Sequence, residues 1–436
     1  MAGPGGLWKR VSIAALVLGT ALAAWGASAE PALTTLYSFG SISGDGAPPR
    51  GPLAFDELGA LYGTTIVGGA YHWGTVFKVT PPAEESGPWS EQILYSFRGD
   101  RDGAFPSSGV IFDRAGNLYG TAQQGGAYGY GTVFRGVAPA DPDGPWGGQL
   151  LWSFTGMEDG SYPGGLLLDG STGVLYGTTD RGGLPSPDCA QRYCGTVFSL
   201  TPPATADAAW TYTVIWRFTG GEDGGNPGWD DAHLAIDESG ALYGTTWTGG
   251  AYGHGTVFRL TPGEGGYSLT TIWSFSGSDG DRPRGSLTFK CGELAGTTWR
   301  GGAFNAGTVF EASPPPTPDD AWEFAPLYSF TGQADGAEPN GGLVFDRAGN
   351  LYGTAKSDRT TRNCSHGTSG CGTAFMGMPP VTSDGAWGGA LLWRFTGGAD
   401  GGNPGPLIFD ADGTALYGTT EVGGEHGVGT VFKLTP

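Results

Sequence analysis

A four-residue aromatic phrase occurs seven times in this chain, and that repetition fixes what the chain can fold into. The phrase stands as "LYSF" at Leu36, Leu94 and Leu327, "LWSF" at Leu151, "IWRF" at Ile215, "IWSF" at Ile272 and "LWRF" at Leu392. Its last Phe returns every 55 to 65 residues. Between copies the order is constant: a "DGxxP" segment, an apolar run such as "GVIFD", a tight turn, "LYGTT", a glycine loop such as "GGAYGYG", then "GTVF". A period of this length with a constant internal order marks a repeat architecture, in which each unit buries its apolar face against the next.

Each unit predicts four strands. "GVIFD" (Gly109 to Asp113) and "NLYGTA" (Asn117 to Ala122) flank a short turn in which Gly116 takes the left-handed conformation. "GTVFR" from Gly131 gives a third strand and the aromatic phrase a fourth. A further aromatic lies eight residues before the phrase's last Phe, at Trp89, Trp146, Trp210, Tyr267, Trp322 and Trp387, and so shares one strand face with it. Four-stranded units repeated around an axis are the signature of a β-propeller. The expected fold is therefore all-β, a seven-bladed propeller in a single domain over 30–436. A linear solenoid would need polar capping units, and neither end shows one. The last unit runs out after its third strand, "GTVFKLTP", at Pro436, while an orphan aromatic strand, "LTTLYSF", stands at 33–39. That strand is expected to complete the final blade, which would remove the open edges of the ring.

The units "LYGTTIVGGAYHWGTVFKVTP" (Leu61 to Pro81) and "LYGTTWTGGAYGHGTVFRLTP" (Leu242 to Pro262) resemble the GloVer tandem repeat of bacterial exported proteins. The resemblance covers essentially the whole chain after the leader and implies a propeller-type secreted or surface group without an assigned activity, often carrying one of several C-terminal anchors. With "GTVFKLTP" as its last segment, the chain is expected to depart from that pattern by lacking such an anchor.

Residues 1–29 read as a signal peptide: Lys9 and Arg10 precede an apolar run from Val11 to Trp25, and Ala27, Ser28 and Ala29 offer a cleavage site. No later stretch approaches the roughly 20 apolar residues that a membrane helix needs. A secreted protein, extracellular or periplasmic, is expected. The formal net charge is −20, and loss of the leader removes two further positive charges. Acidic residues are spread along the chain with no basic cluster, which argues against nucleic acid as a partner. Glycine, 84 of 436 residues, is abundant without a three-residue period, so the chain reads as short strands joined by tight turns rather than collagen.

Strands alternate in direction within a blade, so every "DGxxP" segment shares a face with every glycine loop. That face gathers Asp45, Asp102, Asp159, Asp223, Asp279, Asp335 and Asp400, and also Tyr71, Tyr128, Tyr252 and Phe304 of the "GGAY" and "GGAF" loops. A ring of calcium-binding carboxylates is one use of the aspartates. Their ordinary role, holding a turn by accepting backbone N–H bonds, explains the repetition better. The exposed-loop aromatics either pack between blades or stack on a sugar or another planar ligand, and they are the candidate ligand-binding residues. Blade 4 adds "WDDAH" between Pro227 and "LAID", near the expected channel mouth. Trp229 joins the ligand-binding candidates, and Asp230, Asp231 and His233 are weak catalytic candidates, since a solvated insertion explains them as well.

Cys189 and Cys194 bracket "AQRY" in the blade 3 glycine loop, and Cys364 and Cys371 bracket "SHGTSG" in the same loop of blade 6. In an oxidising compartment each pair is expected to form a local disulfide. Cys291 is left over, read as a quiet thiol, and His366 alone does not make a zinc site of the pairs. No nucleophile elbow, zinc-binding histidine pair or phosphate loop is present. The reading is a non-catalytic binding or interaction module, for a glycan or a surface protein, with no cofactor or metal and a monomer in solution. Its alternatives are a propeller lyase or hydrolase working at the channel mouth, and a structural disc in a surface assembly.

Overall fold

The computed structural model describes residues 30–436, apart from 85–86, 142–143, 190–192, 206–207, 229–232, 291, 318–319, 360–363, 365–369, 381 and 383–384. The leader, Trp229, Asp230, Asp231, Cys291 and His366 therefore lie outside the described residues.

Seven antiparallel sheets follow one another along the chain. In blade 1 the strands are Gly46–Phe55 (A), Leu61–Gly68 (B), Thr75–Thr80 (C) and Ser90–Ser96 (D), paired in that order. The A strands lie innermost and approach one another closely. A Cβ on Gly51 would stand 2.4 Å from the backbone N of Gly109 in the next blade, and one on Gly285 would stand 2.4 Å from the carbonyl of Gly341. Both glycines also have positive φ, +78° and +91°, so a side chain is excluded twice over. The A strand begins earlier than "GVIFD" predicts. In blade 6 it is two pieces, Ala337–Pro339 and Val344–Phe345, both paired with Leu351–Ser357. The "DGxxP" segment, read from sequence as a connection, thus opens the inner strand, and the ladder breaks where the glycines crowd the axis.

The strand Ala32–Ser38 pairs antiparallel with Thr430–Thr435, with Leu33 opposite Leu434 and Thr34 opposite Lys433. The final blade is therefore built from both ends of the chain, as the orphan strand predicts. One aromatic contact shows that this seam is equivalent to the other six. The phrase's last Phe in each blade packs edge-on against the Phe of "GTVF" in the next, with centroids 5.0 to 5.4 Å apart. Phe39 makes this contact with Phe77 across the closure. Phe39 and its six equivalents are at most 1% exposed. Rings in edge-to-face pairs gain about 0.5–1.5 kcal/mol beyond the area they bury, so the seam is a repeated weld. The glycine of "LYGTT" makes room for the partner ring: a Cβ on Gly63 would stand 2.6 Å from Cζ of Phe77.

Candidate functional site

The aspartates of "DG" have a structural task in every blade. Asp45, Asp102 and Asp335 accept the hydroxyl of the phrase's Tyr, at 2.9, 2.7 and 2.8 Å. Asp159, Asp223, Asp279 and Asp400 accept the indole N–H of the phrase's Trp, at 3.4, 3.3, 2.9 and 3.2 Å. The second position of the phrase is Tyr in three blades and Trp in four, never Phe, because a donor is needed at the ring's tip. Each carboxylate also accepts a backbone N–H of the turn, as Asp223 does from Thr219 at 3.0 Å. The turn-holding role assigned to these residues matches this geometry.

The loops of this face are tied from blade to blade. Phe105, Tyr162, Asn226, Arg282, Glu338 and Asn403, each just before the proline of "DGxxP", have φ between 54° and 60°. A non-glycine residue in that region is uncommon. Here each turns its N–H to the carbonyl that ends the preceding blade's glycine loop: Trp73, Tyr130, Cys194, His254, Ala306 and Cys371, at 2.7 to 3.0 Å. In blade 1 the position is Pro48, which has no N–H to give. Disulfides Cys189–Cys194 and Cys364–Cys371, both with Cα atoms 5.3 Å apart, form as paired from the sequence. Cys194 and Cys371 supply two of the accepting carbonyls, so each disulfide steadies a seam acceptor.

Above this frame stand the candidate aromatics. Tyr71, Tyr128, Tyr252 and Phe304 are 47%, 61%, 66% and 50% exposed. The neighbouring rings two residues on, Trp73 and Tyr130, are 40% and 43% exposed and lean on the next blade, where Trp73 meets Phe105 edge-on at 5.2 Å. The Arg98 guanidinium covers one side of Tyr71 at 5.3 Å. Of the blade 4 insertion, His233 faces Ser286 of blade 5, with Nδ1 3.0 Å from the hydroxyl and its backbone N–H donating to the same oxygen at 3.0 Å. Its ring occupies space left by Gly165 of blade 3, where a Cβ would stand 2.5 Å from Nε2.

The channel mouth carries a second set of residues that motif reasoning missed. They fill two slots of the repeat: the residue after "LYGTT" or its variants (Ile66, Gln123, Asp180, Trp247, Trp299, Lys356, Glu421) and the residue after the proline of "DGxxP", where Arg50 and Arg284 stand. Glu421 accepts from Lys356 at 2.7 Å and from Arg50 at 3.0 Å, both on the same oxygen. Burial disfavours its charge, yet Lys356 and Arg50 hold its carboxyl down to about 2. Burial brings Arg284 down to about 10, with Arg50 adding to the effect and Glu421 and Glu338 opposing it. On the other side of the ring, burial lifts Asp180 to about 6 against the pull of Arg181, 3.1 Å away. The signal that finds these positions is their variety: seven slots hold six residue types beside an almost unvarying frame. Among the described residues no cluster of three or more metal-ligating side chains occurs.

The Gloeobacter/Verrucomicrobia repeat matches residues 26–228 and again 187–368. The chain belongs to the Gloeobacter/Verrucomicrobia repeat family. Solved structures similar to this family member are a proposed oxidoreductase (glucose dehydrogenase) from Thermus thermophilus, a Trypanosoma rangeli sialidase and a puromycin hydrolase. The first is 18% identical over 74% of this chain and 95% of its own, with a TM-score of 0.42. The sialidase is 12% identical over 82% and 57%, with a TM-score of 0.40. The hydrolase is 12% identical over 86% and 50%, with a TM-score of 0.47. No curated protein sequence matches the chain. The two disulfides of this repeat-family propeller fit an oxidising, non-cytoplasmic compartment.

Proposed function

We propose that the protein is exported through its 1–29 leader and acts without catalysis, binding a glycan or another surface ligand on the face that carries the "DGxxP" segments and glycine loops. One observation carries the reading: four blades present an aromatic side chain at the same loop position, each about half exposed or more, at Tyr71, Tyr128, Tyr252 and Phe304. Rings standing out of a closed frame are available for stacking, and tyrosine hydroxyls add polar contacts at little entropic cost. The seam hydrogen bonds and the two disulfides support the reading because they hold the loops in place before a ligand arrives, which lowers the ordering cost of binding.

Glycan-array binding by the mature chain tests this, repeated with Tyr71→Ala, Tyr128→Ala and Tyr252→Ala combined. Binding lost in the triple variant while the melting temperature is kept supports the assignment. Binding that survives the three substitutions removes the aromatic face from it.

A further inference from the structure

The seam between blades 1 and 2 holds an unfilled place, and other blades display what fills it. Six residues before the last Phe of the aromatic phrase, the outer strand carries Tyr212 in blade 3 and Phe324 in blade 5. Each ring lies flat on the phrase's Trp of the preceding blade, Trp152 or Trp273, with centroids 4.4 Å apart and planes 7° and 3° from parallel. Each also stacks on the "GTVF" ring of its own blade, Phe198 or Phe310, at 5.4 Å. Its edge contact is with Phe154 or Phe275, at 5.8 and 5.5 Å. The Tyr212 hydroxyl donates to the carbonyl of Asp159.

In blades 2 and 6 the same position is glycine, Gly148 and Gly389. Their "GTVF" rings are the ones left partly bare: Phe134 and Phe375 are each 8% exposed, whereas Phe77, Phe198, Phe258, Phe310 and Phe432 are 0% exposed. Leu150 and Leu391, two residues further along the same strand faces, are each 44% exposed. Beside Gly148 lies a cavity of about 270 Å³ whose walls are the counterparts of the Tyr212 contacts. Tyr95 stands for Trp152, Phe97 for Phe154, Phe134 for Phe198 and Asp102 for Asp159. An apolar cavity of about 150 Å³ is enough to hold benzene, so a substituted six-membered ring has room here. The walls are set in advance: Tyr95 donates its hydroxyl to Asp102 at 2.7 Å, and Phe97 packs edge-on against Phe134 at 5.1 Å. The Asp102 carbonyl accepts from the Thr132 hydroxyl at 3.1 Å and keeps a second lone pair.

We propose that this cavity is a binding site for a small monocyclic phenol, its ring stacked on Tyr95 and Phe134 and its hydroxyl donating to the carbonyl of Asp102, with the slot beside Gly389 and Tyr328 as a second copy. Flat contact between aromatic rings favours such a ligand over an aliphatic one of equal size, and walls already in place lower the cost of ordering on binding. The ring arrives as a free molecule. In blades 3 and 5 it hangs from the outer strand, and in blade 2 that strand is present as Gly147–Ser153, leaving no place for a second backbone to carry the ring in the same way. The site uses none of Tyr71, Tyr128, Tyr252 and Phe304, so it stands whether or not the loop face binds a ligand.

Three probes test this by titration calorimetry on the mature chain: p-cresol, which is the tyrosine side chain as a free molecule; 4-methylanisole, which has no O–H to donate; and N-acetyltyrosinamide, which carries the phenol on a backbone. The expected result is submillimolar binding of p-cresol, with each of the other two at least tenfold weaker. Gly148→Tyr combined with Gly389→Tyr returns both rings to the chain and is expected to abolish p-cresol binding without lowering the melting temperature. Crystals of the parent soaked in 4-iodophenol give a readout that needs no variant, with anomalous iodine density expected between Tyr95 and Gly148. No binding of p-cresol at millimolar concentration overturns the proposal, as does equal binding of 4-methylanisole. Tighter binding of N-acetyltyrosinamide than of p-cresol overturns the assignment to a free phenol. A folded double variant that binds p-cresol as the parent does, or iodine density found only elsewhere, overturns the location.

Discussion

Replacing Glu91 with Leu should stabilise the protein, and by more in alkali than in acid. Glu91 lies on the outer strand of blade 1, at the repeat position that holds Leu33, Tyr212, Leu269 and Phe324 in other blades. At that position Tyr212 and Phe324 stack on Trp152 and Trp273 of the preceding blade, with centroids 4.4 Å apart. Glu91 instead places a carboxyl in the seam beside Tyr37 and Asp45, and neither of its oxygens has a hydrogen-bond partner. Burial, and then the charge of Asp45, push its pKa from 4.5 up to about 8. A raised carboxyl pKa means that the folded state holds the proton more tightly than the unfolded chain. Its contribution is thus fully present below pH 4.5 and is lost as the pH rises through about 8. At about 1.4 kcal/mol per unit the ceiling is roughly 5 kcal/mol, and solvent reaching the partly exposed group cuts this to about 2 kcal/mol. Melting temperatures of the parent and Glu91→Leu chains at pH 5 and pH 8.5 measure the difference. The variant should gain a few degrees more at pH 8.5 than at pH 5. An equal difference at both values, or a variant less stable at pH 8.5, refutes this account of the seam.

Two other substitutions probe the frame. Asp223→Ala removes the acceptor for the Trp216 indole and the Thr219 backbone N–H. It should cost about 1–3 kcal/mol in urea unfolding, with Asp223→Asn in between. Gly148 and Gly136 leave an apolar cavity of about 270 Å³ between blades 1 and 2, lined by Tyr95, Phe134 and Trp146. Gly148→Leu should fill part of it and raise stability by about 1 kcal/mol, provided that Tyr95, whose ring would lie 3.1 Å from the new Cβ, gives slightly. Loss of stability instead would show that Tyr95 is pinned by its bond to Asp102, 2.7 Å long.

Parts of the molecule that serve the repeat could be read from its sequence, because every blade states them again. Closure by Leu33 to Phe39 follows from counting strands, and the disulfides follow from cysteines that bracket one loop. The aspartates were legible as turn acceptors, yet their side-chain donors were not connected to them, although the restriction of one phrase position to Tyr and Trp carried that information. The left-handed backbone of Phe105, Tyr162 and Arg282 could not be foreseen. Nothing in those side chains favours it, and the seam hydrogen bond that imposes it exists only between blades. The channel mouth was hidden for the opposite reason. Arg50, Arg284, Trp299, Lys356 and Glu421 occupy slots where the blades differ, and only the closed ring brings blades 1, 5, 6 and 7 around one axis.

Cross-linking across the closing seam tests the ring most directly. Thr34 and Lys433 face each other in the pairing of Ala32–Ser38 with Thr430–Thr435. In the mature chain with Cys291→Ser, the pair Thr34→Cys and Lys433→Cys should oxidise to a disulfide within one molecule, mapped by peptide mass spectrometry, whereas Thr34→Cys with Lys78→Cys should not. A Thr34–Lys433 link found only between molecules, or equal linkage to position 78, would contradict a ring closed by its own first strand.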